Sequence, residues 1–202
     1  RDARIPPVIG TPPVSQSVLA GQPATFSVGA TGTPAPTYQW RKDGSTIGGA
    51  TNASYTIAAT ATSDTGNYDV VVNNPVGSVT SNVAILTVTV PPSFTTQPQA
   101  QTETLGASVT LMAVAGGTPP PTYQWRKDGI NLAGATNPNY PIASAQTSDA
   151  GNYTVVATNT AGTTPSAVAT LTVFAPPVIT TQAVAQVALA GGSATFTVAA
   201  TN

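Results

Sequence analysis

The sequence predicts an all-β protein: tandem antiparallel β-sandwiches of Greek-key type, about seven to nine strands each, set end to end as a rod. Three observations predict it. Apolar residues alternate or occur in short runs rich in Val, Ile, Thr and Tyr, and no segment keeps helical spacing over several turns. Gly, Pro, Asn and Asp break these runs about every ten residues, the rhythm of a sandwich of short strands. Finally, Tyr38-Gln39-Trp40-Arg41-Lys42-Asp43-Gly44 returns letter for letter as Tyr123-Gln124-Trp125-Arg126-Lys127-Asp128-Gly129, an offset of 85 residues.

Other landmarks keep that offset. Pro6-Pro7 recurs as Pro91-Pro92 and Pro176-Pro177, and Asp64-Thr65-Gly66-Asn67-Tyr68 as Asp149-Ala150-Gly151-Asn152-Tyr153. A fixed period means tandem copies of one module. The expected domains are residues 1–89, residues 90–174, and the opening two strands of a third copy in residues 175–202. A two-stranded piece carrying Phe196 and Val198 is not stable by itself. The expectation is that the natural chain continues past Asn202; packing against a neighbour and loose order are the alternatives. No signal peptide opens the chain, since Arg1-Asp2-Ala3-Arg4 leads straight into Ile5-Pro6-Pro7, which predicts a mature or excised piece of something longer.

Within the first copy, residues 8–19 read as a proline-interrupted edge strand, and Gly21-Gln22 turns the chain into a strand over residues 24–30. Residues 32–36 form a loop that cannot donate at its prolines. The strand over residues 37–42 closes on Asp43-Gly44, a hairpin-turn signal. Short strands follow at residues 46–47 and 54–58, then the turn at Asp64-Thr65-Gly66, then a closing hairpin over residues 67–73 and 78–90. Alternation puts Phe26 with Val28, Tyr55 with Ile57 and Tyr68 with Val70 on shared faces. Between copies the last strand runs directly into the Pro-Pro pair, which favours an extended, semi-rigid joint.

Composition excludes several functions. Six Lys+Arg against seven Asp+Glu give a net charge of −1, with no basic footprint for nucleic acid. No stretch approaches the ~20 apolar residues of a membrane span. The chain has no His and no Cys, so Ser triads lack their base, zinc lacks its usual ligands, and no cofactor is expected. Asp64 and Asp149 are expected to cap the turn before the tyrosine strand, and Asp69 to lie on a solvated face. Arg41 and Lys42, with Arg126 and Lys127, read either as a repeated partner contact or as charge that discourages edge-to-edge aggregation.

The order Gly21…Phe26-x-Val28…Gly32-x-Pro34-x-Pro36…Trp40…Tyr55-x-Ile57…Asp64-x-Gly66-x-Tyr68-x-Val70…Asn73…Gly77 resembles the immunoglobulin superfamily, I-set type. The resemblance implies that Trp40 and Trp125 are core tryptophans and that Tyr68 and Tyr153 are tyrosine corners. The positions that hold that family's inter-sheet disulfide are Val28 with Val70, and Ala113 with Val155. Each domain thus forgoes a cross-link worth about 2–5 kcal/mol. The second copy is expected to have the looser centre unless Leu111 and Met112 compensate.

Cysteine-free immunoglobulin-like repeats of large secreted bacterial proteins are the nearer likeness. They imply a non-enzymatic structural or adhesive module, extracellular or at the cell surface, forming a rod, stalk or filament. Its contacts would be protein–protein, including self-association into fibres. The alternative is an accessory module, binding glycan, of a secreted polysaccharide-degrading enzyme.

Overall fold

The computed structural model describes residues 4–201; Arg1, Asp2, Ala3 and Asn202, where the sequence reading placed the chain ends, lie outside the described residues. The chain falls into two compact units. One contains the residues up to Ser93 together with Gly116–Pro121 and Thr158–Thr164, and the other contains Phe94–Ala115, Thr122–Ala157 and the residues from Pro165 onward.

The strands of the first copy are β1 (Ile5–Thr11), β2 (Gln16–Leu19), β3 (Ala24–Ser27), β4 (Gly29–Thr33), β5 (Thr37–Lys42), β6 (Ser45–Thr46), β7 (Ser54–Ile57), β8 (Gly66–Asn74), β9 (Gly77–Thr80) and β10 (Ala84–Thr96). One sheet runs β10-β8-β5-β6, with β9 against β8 and β2 against β10, and β3 pairs with β7 opposite it. Between them lie Phe26, Trp40, Tyr68, Val70, Val72, Leu86 and Val88, all buried. Burying an aliphatic or Phe side chain of this set contributes about 1.5–3 kcal/mol.

The second copy repeats the order with β11 (Gln101–Thr104), β12 (Val109–Met112), β13 (Val114–Thr118), β14 (Thr122–Lys127), β15 (Ile130–Asn131), β16 (Asn139–Ile142), β17 (Gly151–Asn159), β18 (Gly162–Pro165) and β19 (Ala169–Phe174). Single 3-10 turns, Thr62–Asp64 and Thr147–Asp149, precede β8 and β17.

Several boundaries differ from the sequence expectation, each for a local reason. The edge strand breaks at Pro12 and Pro13, which cannot donate to a ladder. Beyond the break the chain changes sheets, and β2 pairs parallel to β10 with Gln16 opposite Leu86 and Leu19 opposite Thr89. The sandwich is therefore not wholly antiparallel. The strand expected over residues 24–30 divides at Val28, whose N–H donates to the carbonyl of Ala53 outside the ladder, at 2.9 Å. The closing strand runs to Thr96, through Pro91 and Pro92.

The second core holds Leu111, Ala113, Trp125, Tyr153, Val155 and Leu171. Leu111 occupies the place of Phe26, but Met112 is 51% exposed and adds nothing to the centre. Beyond it, β20 (Val178–Thr181) pairs with β21 (Ala199–Thr201) in the register of β1 with β4: Val178 faces Thr201 as Val8 faces Thr31. Phe196 and Val198 are exposed there.

Candidate functional site

The repeated Tyr-Gln-Trp-Arg-Lys-Asp-Gly stretch organises each copy. Trp40 and Trp125 are fully buried, and each indole Nε1 donates to a loop carbonyl, Asn52 or Asn137, at 2.9 Å. Beside them the Gln39 and Gln124 amides donate to Ile47 O at 2.7 Å and Leu132 O at 2.8 Å. The tryptophan thus fills the core while its polar edge holds the following loop. Asp43 and Asp128 take positive φ in the hairpin turn, and each Oδ1 accepts from the next strand, from Asn67 N or Asn152 N at 2.9 Å. A Cβ on Gly66 or Gly151 would stand 2.7 Å from that carboxylate and 2.9 Å from the Lys42 or Lys127 Cε, so a larger residue there must push these side chains aside. The backbone donor from Asn152, and then Lys127, holds the Asp128 carboxyl below the usual range.

Asp64 and Asp149 accept from the N–H groups of Ala61 and Gln146 at 2.8 Å, tying down the 3-10 turn. Tyr68 and Tyr153 donate back to the carbonyls of the same aspartates at 2.8 Å. Burial, with smaller contributions from neighbouring acids and tyrosines, pushes both phenols up to about 12. Val28, Val70, Ala113 and Val155 are all buried in the two cores.

The cations separate the two copies. Arg41 grips Asp69 through two 2.7 Å bonds, so Asp69 is not a freely solvated face residue as expected; its side chain is only 15% exposed. The bond to Asp69 raises the Arg41 guanidinium further above its ordinary value. In the second copy Thr154 takes the place of Asp69, and Arg126 Nε donates instead to Asn131 Oδ1 at 2.8 Å. Lys42 donates to the carbonyl of Ser63, and Lys127 lies 3.3 Å from Asp128.

Two further pairs escaped the sequence reading. Asn74 Nδ2 donates to Ile5 O at 2.8 Å and Pro34 O at 3.0 Å, and Asn159 makes the same bonds to Val90 and Pro119 at 2.8 Å. Gly32 lies beneath Asn74, where a Cβ would approach Nδ2 to 3.0 Å. Ser81 and Ser166 accept the N–H groups of Val70 and Val155 at 3.1 and 3.0 Å, replacing ladder bonds where the closing strand is interrupted. The signal was present: both residue types keep the 85-residue offset.

On one side of the first sandwich, Pro36, Thr37, Tyr38, Gln39, Asn52 and Asn73 help line an open cleft of about 640 Å³. Among the described residues no helix is long and apolar enough to cross a membrane.

A tryptophan and a tyrosine corner packed between two such sheets, twice over, define an immunoglobulin-type module. The chain belongs to the immunoglobulin domain family, whose model matches residues 6–74 and 91–159. It is 34% identical over 185 residues to mouse hemicentin-1 and 36% identical over 204 residues to mouse Roundabout homolog 1. These alignments cover 85% and 94% of the chain but only 3% and 12% of those far longer relatives. Among solved structures, the I-band fragment I67–I69 of titin superposes with a TM-score of 0.68 at 25% identity, covering 90% of this chain and 70% of that one.

Proposed function

We propose that the chain is a non-enzymatic repeat segment with a structural or adhesive role, part of a rod, stalk or filament of an exported protein. The observation that carries this reading is the doubled frame. Residues 38–44 and 123–129 are identical, and in both the tryptophan bonds the following loop and the aspartate bonds the neighbouring strand, so the same core frame recurs at a fixed sequence spacing. The modules are residues 1–89 and 90–174, with residues 175–202 opening a third. Pro91-Pro92 and Pro176-Pro177, recurring at one point of the period, support stiff joints.

The reading extends to location and partners. The working place is outside the cell or on its surface, and the absence of cysteine supports a bacterial source. Partners are proteins, including further copies meeting through neutral, Thr-rich faces, with Arg126 a candidate contact because no carboxylate pairs with it among the described residues. Electron microscopy of the purified chain without added ligand tests this. Thin rods, or filaments with an axial repeat of whole domain lengths, are expected. Round, compact particles would overturn it.

A further inference from the structure

The smaller sheet of each copy has two strands, β3 with β7 and β12 with β16, so one flank of β7 and of β16 meets no strand among the described residues. The phase of the β3–β7 ladder fixes which backbone groups face that open flank. Val28 N donates to Ala53 O at 2.9 Å, and in step with it Phe26 with Tyr55 and Ala24 with Ile57 exchange the ladder bonds. Ser27 with Ser54 and Thr25 with Thr56 are the non-bonded pairs between them. Thr25 O turns the other way and accepts from Gln16 Nε2 at 2.6 Å. The N–H and C=O groups of Ser54 and Thr56 therefore point outward, away from β3.

The second copy keeps this phase, with Ala113 N donating to Pro138 O and Gln101 Nε2 to Thr110 O, both at 3.0 Å. There Pro141 stands in the place of Thr56, opposite Thr110. A proline in an edge strand removes an outward donor and blunts the edge against further pairing. The first copy has no such guard. Residues 45–63 contain neither proline nor charge, and Ser54 and Thr56 are exposed.

We propose that the outer edge of β7 docks a second copy of this chain, the two β7 strands pairing antiparallel about a two-fold axis at Tyr55. The proposal rests on the self-association part of the reading above and names its contact. Two observations identify the occupant. First, the outward groups are self-complementary. With Ser54 of one chain opposite Thr56 of the other, and the reverse, two donors and two acceptors on each strand make four bonds and leave none over. Second, an uncharged edge lets two identical surfaces meet without like-charge repulsion, whereas a charged segment would find no counter-ion there. The strand is also held from behind, since the Tyr55 ring lies 6.3 Å from that of Trp40 and 6.2 Å from that of Tyr68, so pairing imposes little new order. Four backbone bonds make a small contact, and the dimer is a weak one.

The test is sedimentation velocity of the full chain from about 10 μM to about 1 mM, a range that brackets a weak dimer. A reversible dimer is expected, with the amide resonances of Ser54 and Thr56 shifting as the ¹⁵N-labelled chain is concentrated. Thr56→Pro, a residue this fold accepts at position 141, should weaken the dimer at least about tenfold through loss of two of the four bonds. Thr56→Asp, at an exposed position, should weaken it as well by setting like charges beside the two-fold axis. An unshifted Trp40 indole resonance shows that the core of each variant is intact. A chain that stays monomeric at the highest concentration, shifts that map to another surface, or full association in both variants would each overturn the proposal. Association through another surface would leave the rod or filament reading standing, while compact particles in micrographs would overturn that reading alone.

Discussion

Arg41 and Asp69 form a two-point ion pair, Nε to Oδ1 and Nη2 to Oδ2, both at 2.7 Å, and nothing equivalent exists in the second copy because Thr154 stands in the aspartate's place. The pair joins directly opposed residues of β5 and β8. Both side chains keep some exposure, 30% and 15%, so solvent screens the attraction. Asp69→Thr should cost about 1 kcal/mol, and Thr154→Asp should gain somewhat less, with both effects shrinking at high salt. Thermal unfolding at low and high salt checks this.

Tyr68 and Tyr153 predict a loss of stability on the alkaline side. Their folded-state values are raised to about 12 from an ordinary 10.0, so the stabilisation from keeping them protonated is whole below about pH 10 and is lost as pH rises through about 12. Tyr68→Phe should cost about 1 kcal/mol at neutral pH, through the bond to Asp64 O, and flatten the alkaline decline. Denaturant unfolding as a function of pH measures both.

Asn74 ties three segments with one side chain. Its Nδ2 reaches Ile5 and Pro34, while Oδ1 accepts from Val76 N at 3.0 Å and Gly77 N at 3.2 Å. Asn74→Ala should destabilise the first unit by about 1–2 kcal/mol and speed hydrogen exchange at Val76 and Gly77. Exchange unchanged at those two amides would show that the turn holds itself.

The centre of the second unit carries smaller residues than the first, with Leu111 for Phe26 and Ala113 for Val28; Met112 faces solvent, and Phe94, in the place of Ile9, packs against this core from its margin. Leu111→Phe combined with Ala113→Val should raise its stability by about 1–2 kcal/mol. A fall in melting temperature would mean that the sheets have already closed on the smaller side chains.

The fold class was legible because alternation, turn residues and an 85-residue period are local signals that survive without knowledge of pairing. What stayed hidden depends on register between distant strands. Asp69 meets Arg41 only because β8 lies antiparallel to β5 in one particular register. The parallel pairing of β2 with β10 joins residues about 70 apart, and Pro12 and Pro13 mark the break without naming the new partner. Tyr38 and Tyr123 sit in identical heptapeptides, yet the hydroxyl of Tyr123 bonds to Ala115 and that of Tyr38 makes no such bond among the described residues, so no reading of those seven letters separates them.

The proposal that this is a repeat rod is tested most directly by small-angle X-ray scattering of the isolated chain. A single compact globule of 202 residues would have a radius of gyration of about 16–17 Å. The rod reading predicts a value well above that, with a linear cross-sectional region that does not change on tenfold dilution. A radius near the compact value, with a bell-shaped globular scattering profile, would contradict it.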